Sequence, residues 1–215
     1  MGNFNLADVW GVVAETQPDR PAQRHGDRVQ TWAEFDRRAR SLAADLLDAG
    51  LGQQAKVAAY LYNGPEYLET YAAAFKAGLV PVNTNYRYGP EEVVYLLGNA
   101  DAEAVVFDVE FAPLLGLIRD RLPLVTRWYA VRGPAPDWAV PYEAAVSSGR
   151  EADPPWGRSG DDLLLLYTGG TTGMPKGVMW RQDDLFASLN STAALRYPDQ
   201  GGLDDIGRQL VKPGP

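Results

Sequence analysis

Cysteine is absent from the 215 residues. Its absence excludes disulfides, thiolate metal sites and a cysteine nucleophile, and it agrees with a reducing compartment. Histidine is represented by His25 alone, which lies between Arg24 and Gly26 and reads as an exposed turn residue. Positive charge is not in excess. Twenty basic residues stand against 28 acidic ones, a net charge of −8, which excludes a general nucleic-acid surface and leaves room only for a local basic pocket. No apolar run approaches the roughly 20 residues of a membrane-spanning helix; even "YAAAFKAGLV" is broken by Lys76. The opening "MGNFNL" places Leu6 where an N-myristoylation signal has Ser or Thr, and no basic-then-apolar leader follows, so a cytoplasmic location is expected. No Gly-x-Ser-x-Gly elbow occurs, which removes a serine hydrolase of that type, and there is no internal repeat or low-complexity tract. What remains is 46% hydrophobic and 22% charged, enough for a sizeable core in one large or two small domains.

The clearest element is "TWAEFDRRARSLAADLLDAG", where Phe35, Ala39, Leu42, Ala43, Leu46 and Leu47 share one helical face. Thr31 and Glu34 have capping-box spacing, and Gly50 stands where a helix end takes a left-handed residue. "KVAAYL" then reads as a strand, and the turn Asn63–Pro65 feeds a helix that Gly78 stops. Next come the strand "LVPVN", a helix opened by Pro90, the strand "AEAVVFD", a helix around "FAPLLGLIRDRL" and the strand "VTRWYAV". Strands that alternate with helices of this length predict an α/β fold: a mainly parallel sheet layered with helices through right-handed crossovers. The pattern divides into an α/β subdomain over about residues 1–131, a Pro-, Gly- and Ser-rich connection at 132–160 with a short helical piece near "YEAAV", and a final part at 161–215. In that last part "YPDQGGLDDIGRQLVKPGP" shows no apolar period. Asp183 and Asp184 read as the start of a helix, and Asp161–Asp162 and Asp204–Asp205 as solvated turns rather than metal ligands.

Chemistry concentrates in "LLLLYTGGTTGMPKGV", Leu163 to Val178. A Walker A loop would need Gly before Lys176 and Ser or Thr after it, where this chain has Pro175 and Gly177. The dinucleotide fingerprint also fails on glycine spacing, and no helix opens directly behind the loop. The pattern is strand, loop, then a second extended piece "GVMW", a long hairpin. Glycines allow successive backbone N–H groups to converge on an anion, Thr168, Thr171 and Thr172 add hydroxyl donors, Lys176 adds a mobile charge, and Pro175 stiffens the return. Such a donor set suits phosphate; a plain surface hairpin of turn residues is the alternative from composition alone.

The stretch "YTGGTTGMPKGV" resembles the phosphate-binding signature of the adenylate-forming superfamily, which includes acyl-CoA synthetases, luciferases and the adenylation domains of peptide synthetases. The family form, Ser/Thr-Gly-Ser/Thr-Thr-Gly-x-Pro-Lys-Gly, is matched through Gly177, with Gly169 standing where many members have serine. "TWAEFDRRARSLAADLLDAGL", "KVAAYLYNGPEYLETYAAAFKAGLVPVNTNYR" and "LLGNADAEAVVFD" resemble the family's amino-terminal segments in the same order, so the likeness runs from about Asn5 to Leu189.

The resemblance implies the amino-terminal portion of that family's α/β fold and a two-step acid–thiol ligase reaction. A carboxylate and ATP give an acyl-adenylate and pyrophosphate, and coenzyme A then displaces AMP, with Mg²⁺ sharing the phosphate work. It implies Thr168, Gly169, Gly170, Thr171, Thr172, Gly173 and Lys176 as the nucleotide-binding residues. "GVMWRQDDLF" is similar to ligases acting on fatty or steroid side-chain acids. In longer members the catalytic lysine, the nucleoside pocket and the carboxy-terminal lid domain lie beyond the position equivalent to residue 215. The expectation is therefore a fragment incomplete by itself that associates with a missing carboxy-terminal portion, with no catalytic residue and no metal ligand of its own. An inactive α/β interaction module that keeps the loop, or a phosphotransferase with an atypical phosphate loop, are the alternatives.

Overall fold

Local signals set the helix boundaries. The computed structural model describes residues 4–169, 174–193, 196–197 and 201–211. It begins with α1 (Leu6–Thr16), capped by the Asn5 side chain, which accepts from the Ala7 amide at 2.8 Å. A two-stranded hairpin follows, β1 (Pro21–His25) and β2 (Arg28–Thr31). His25 is exposed as expected, but it ends a strand rather than occupying the turn. Neither α1 nor this hairpin stood out in the sequence, because the one residue the hairpin fully buries, Gln30, is polar and its strands show no apolar alternation.

Helix α2 (Trp32–Asp48) starts where expected: Thr31 Oγ1 accepts from the Glu34 amide at 3.2 Å. It ends in a Schellman motif, with Gly50 N–H on Leu47 O (2.9 Å) and Leu51 N–H on Leu46 O (3.3 Å). Gly50 has φ +87°, which a side chain would resist. Then come β3 (Lys56–Tyr60), α3 (Pro65–Lys76), β4 (Val80–Asn83), α4 (Pro90–Asn99), β5 (Ala102–Asp108), a 3₁₀ turn, α5 (Ala112–Ile118) and β6 (Arg127–Val131). Pro65 and Pro90 each open a helix, where a missing amide N–H has no intrahelical bond to lose. The connection at 132–160 contains the expected short helix, α6 (Tyr142–Val146), and also a two-residue strand, β7 (Val140–Pro141). The chain ends with β8 (Leu163–Thr168), β9 (Lys176–Arg181), α7 (Gln182–Thr192) and α8 (Leu203–Val211). Helix α8 corrects the aperiodic reading of the tail. Leu203, Ile206 and Leu210 recur at helical spacing and meet α1, with Ile206 buried, but three positions among polar neighbours are too sparse a stripe to read alone.

The main sheet has the order β7-β6-β5-β3-β4-β8-β9, parallel throughout except for the antiparallel β8–β9 pair. The chain enters at β3, steps to β4 on one side and returns to β5 on the other, the doubly wound pattern. Strand residues alternate between two cores. Val57, Ala59, Ala104 and Val106 pack with Leu42, Leu46 and Phe75 of α2 and α3, while Ala58, Val105 and Phe107 pack with Leu96 and Leu115 of α4 and α5. Each such leucine or phenylalanine taken out of water contributes about 1.5–3 kcal/mol.

One buried polar knot fixes the helices on the first face. Glu69 of α3, fully buried, accepts from Arg38 Nε (2.7 Å) and Nη2 (3.1 Å), from Tyr142 Oη (2.8 Å) and from Gln30 Nε2 (2.6 Å). Arg38 also reaches Glu143 at 2.8 and 2.9 Å. Burial, and then the Glu69 carboxylate, push the Tyr142 hydroxyl far above its usual range, so it stays a donor.

Candidate functional site

β8 earns its place by hydrophobicity: Leu164, Leu165 and Tyr167 are buried, and exposure begins at Thr168. Because β8 runs parallel to β4, the loop that follows emerges at the carboxyl edge of the sheet, where doubly wound folds place their ligands. β9 returns antiparallel, with Thr168 opposite Lys176, so the loop is residues 169–175. Of the expected phosphate ligands, Thr168, Gly169 and Lys176 are described, and all three are exposed at the loop mouth. Gly170, Thr171, Thr172 and Gly173 lie outside the described residues. Pro175 is buried, as suits a residue that stiffens the return. No carboxylate among the described residues pairs with Lys176.

The loop is anchored by residues the motif does not contain. Past the register pair Val82–Leu165 the β4–β8 ladder gives way to a side chain. Asn83 Nδ2 donates to Tyr167 O at 2.9 Å, and Tyr167 N–H donates to Asn83 Oδ1 at 2.5 Å, so one carboxamide completes both backbone bonds. At its other end Tyr167 Oη donates to Asn99 Oδ1 at 2.7 Å, and burial raises the pKa of this hydroxyl. The Tyr167 ring lies under Gly177 of β9, where a Cβ would come within 2.9 Å of ring carbons. Gly177 is therefore required by close approach rather than by a special backbone angle. Among the described residues, a Cβ on Gly169 would meet only Tyr88 Oη, at 3.9 Å, and none of them blocks the serine common at this position in the family. Asn83 carried no usable signal, since an Asn after an apolar run reads as a turn residue.

Beside the loop, the carboxyl ends of β3 and β5 carry an aromatic cluster. Tyr60 stacks on Phe111 at 4.2 Å, and Tyr62 meets both Phe111 and Tyr86 at 5.1 Å. Tyr60 Oη donates to Tyr88 O (3.0 Å), and burial pushes its pKa up to about 12. Arg132, after β6, is held by Asp108 (Nε, 2.7 Å) and Glu66 (3.3 Å).

The acidic pairs behave differently from one another. Asp161 is exposed and pairs with Arg181, as does Asp184. Asp183 lies in the first turn of α7 as expected, yet it accepts from the Phe4 amide (3.1 Å) rather than from its own helix. Asp162 corrects the solvated-turn reading: it is buried and accepts from Asn5 Nδ2 (3.0 Å), the Ser159 amide (2.9 Å) and Gln54 Nε2 (2.9 Å). Burial raises its pKa. Asp205 is likewise part of a helix start, accepting from the Gly202 amide at 2.9 Å. Among the described residues no three His, Asp or Glu side chains are grouped to hold a metal. No helix is long and apolar enough to cross a membrane among those same residues.

Comparison with known proteins meets the same geometry. The sequence model of the AMP-binding enzyme family matches residues 11–207, which takes in β8, the loop and β9. The medium-chain acyl-CoA ligase Mig of Mycobacterium avium is 38% identical over 94% of this chain and 40% of its own length. The medium/long-chain-fatty-acid–CoA/3-oxocholest-4-en-26-oate–CoA ligase of Mycobacterium marinum is 36% identical over 86% of this chain and 36% of its own. Among solved structures, a Mycobacterium tuberculosis fatty acyl CoA synthetase superposes with a TM-score of 0.75 at 26% identity, over 91% of this chain and 38% of the synthetase. An anthranilate CoA ligase, at 20% identity and a TM-score of 0.81, shares the fold. The chain thus spans well under half the length of these relatives. With the signature loop at the carboxyl edge of a doubly wound sheet and the family match running through it, this chain belongs to the AMP-binding enzymes.

Proposed function

We propose that the chain is the phosphate-gripping amino-terminal part of an ATP-dependent acyl-CoA ligase. The observation that carries this is the β8–β9 hairpin, which opposes Thr168 to an exposed Lys176 at the carboxyl edge, paired with no carboxylate among the described residues. In the first step a carboxylate oxygen attacks the α-phosphorus of ATP, the bond to the bridging oxygen breaks, and negative charge grows on the departing pyrophosphate. Lys176 and the Thr168 hydroxyl stabilise that charge, with Gly169, Gly170, Thr171, Thr172 and Gly173 completing the donor set on sequence grounds. In the second step the thiol of coenzyme A displaces AMP. Mg²⁺ would travel on the phosphate oxygens and neutralise part of their charge. The substrate class is a medium- or long-chain fatty acid or a steroid side-chain acid, the acids named for the relatives. A cytoplasmic location and association with a carboxy-terminal portion belong to the same proposal.

A second reading is an α/β module that keeps the loop without turnover. Calorimetry on the chain separates the two. The ligase reading expects micromolar binding of ATP or pyrophosphate, weakened roughly 10- to 100-fold in Lys176→Ala, as for loss of one charged hydrogen bond of about 1.5–3 kcal/mol. No binding of either ligand, or equal binding by the variant, removes the loop's assigned role. Hydroxylamine trapping of an acyl-adenylate with fatty acid and ATP-Mg²⁺ identifies the reaction, while γ-phosphate transfer without hydroxamate would mark a phosphotransferase.

A further inference from the structure

A cleft of about 450 Å³ opens between α1, α2, the end of α3, the 151–158 segment and the start of α8. It lies at the amino edge of the sheet, because α3 ends at Lys76 just before β4 begins, and Arg158 precedes β8. The length of β8, at about 3.3 Å per residue, places roughly 20 Å between it and the candidate phosphate loop.

Three cations converge on its floor. Lys76 Nζ lies 2.6 Å from Asp36 Oδ1, with only 10% of its side chain exposed. Arg40 Nε donates to the other oxygen of the same carboxylate at 2.6 Å. Arg158 Nε donates to Asp8 at 2.9 Å. The Lys76 ammonium, nine-tenths buried and lining the cleft, has three donors against one acceptor among the described residues. Arg40 Nη1 is 3.6 Å from Glu151, too far for a hydrogen bond. On the floor Lys76, Arg40 and Arg158 exceed Asp36 and Asp8 by one positive charge. The remaining acids stand at the mouth: the Glu151 and Asp153 side chains are 63% and 93% exposed, Asp153 accepting from Arg158 Nη1 at 3.4 Å, and Glu15 and Asp204 are exposed as well. Water screens those acids far more than the buried Lys76 ammonium. Burial outweighs Asp36 and draws the Lys76 pKa down. A cationic ligand reaching the floor would meet Lys76 directly.

We propose that this cleft is a second ligand site, taking a small oxyanion whose oxygens accept from Lys76, Arg40 and Arg158 and whose organic part lies on Ala7, Gly11 and Ala43. Phosphate monoesters and carboxylates share that chemistry. The test is titration of the ¹⁵N-labelled chain with inorganic phosphate and, separately, with acetate, at constant ionic strength. At least one anion is expected to shift the Gly11 and Ala43 amides with a dissociation constant of roughly 1 mM or below; which of the two does so names the ligand class. Gly11→Leu projects a side chain into open space, touches no charge and favours the helix, so it folds and abolishes the shifts. Lys76→Met weakens binding at least roughly tenfold, the loss of one charged hydrogen bond, and Lys176→Ala leaves it unchanged. The proposal is overturned if neither anion moves Gly11 and Ala43 at about 20 mM, some 20 times the expected constant. Saturation of Gly11→Leu like the parent chain, or a response to putrescine in place of the anions, overturns it equally.

Discussion

Gly177→Ala tests the clamp beneath the phosphate loop. The new methyl would sit 2.9 Å from Tyr167 Cε2 and Cζ and 3.2 Å from its hydroxyl, closer than carbon atoms pack. The ring cannot swing aside cheaply. Its backbone is held from both sides by Asn83 and its hydroxyl by Asn99. Either β9 moves outward, loosening the Thr168–Lys176 closure, or Tyr167 gives up Asn99. Overpacking of this kind costs about 1–3 kcal/mol, and a lost buried hydrogen bond adds about 1 kcal/mol. A destabilisation near 2 kcal/mol is expected, which for a chain of this size lowers Tm by roughly 4–8 °C. Differential scanning calorimetry on Gly177→Ala, Tyr167→Leu and the double variant checks both the size and the cause. Removing the ring should relieve the methyl, giving a coupling of about 0.5–3 kcal/mol of compensating sign. Additive effects in the double variant, or a Tm within about 1 °C of the parent for Gly177→Ala, would refute the clamp.

Gly169→Ser, where a Cβ meets nothing among the described residues nearer than 3.9 Å, should change stability by no more than about 0.5 kcal/mol in a urea titration; a larger loss would mean that other groups close the loop mouth. Glu69→Ala should destabilise by about 3–5 kcal/mol, because it leaves Arg38 Nε, Tyr142 Oη and Gln30 Nε2 buried without their acceptor while Arg38 keeps only Glu143; pairing it with Arg38→Met should recover part of that loss, and no recovery would show that the two are not a unit. In acid, Asp36 and Glu143 both have lowered pKa values: for Asp36, burial is outweighed by Lys76 and Arg40, and for Glu143 the hydrogen bond from Arg38 dominates. The unfolded chain therefore takes up protons first, and stability present above the ordinary carboxylate range of about 4 is lost as pH falls through and below it. Asp36→Asn should flatten the urea midpoint against pH between about 5 and 3, and an unchanged slope would remove Asp36 from the acid limb.

Much of the fold was legible because its signals are local. A Thr cap three residues ahead of Glu34, a glycine after Leu47 and a proline opening each of two helices act within one turn of chain, and β3, β5 and β6 announce themselves by short β-rich apolar runs. The phosphate loop was legible for the same reason: nine consecutive residues carry its donors, whatever surrounds them. Helix α8 and the β1–β2 hairpin were not, since the first shows its stripe only against α1 and the second fully buries only the polar Gln30, which creates no apolar pattern. Asp162 looked like a surface turn and is instead a buried acceptor, because Asn5 and Gln54, 157 and 108 residues away along the chain, fold over it.

The amino-acid sequence by itself determined the alternating α/β order and the chemistry of the loop, both of which depend on neighbours a few residues apart. Only the tertiary structure decided that the loop stands at the carboxyl edge, that Asn83 and Asn99 hold Tyr167 beneath Gly177, and that Lys76, Arg40 and Arg158 meet in one cleft. Those relations join residues remote in the chain, and strand order and helix packing, rather than any local spacing, bring their side chains within hydrogen-bonding distance.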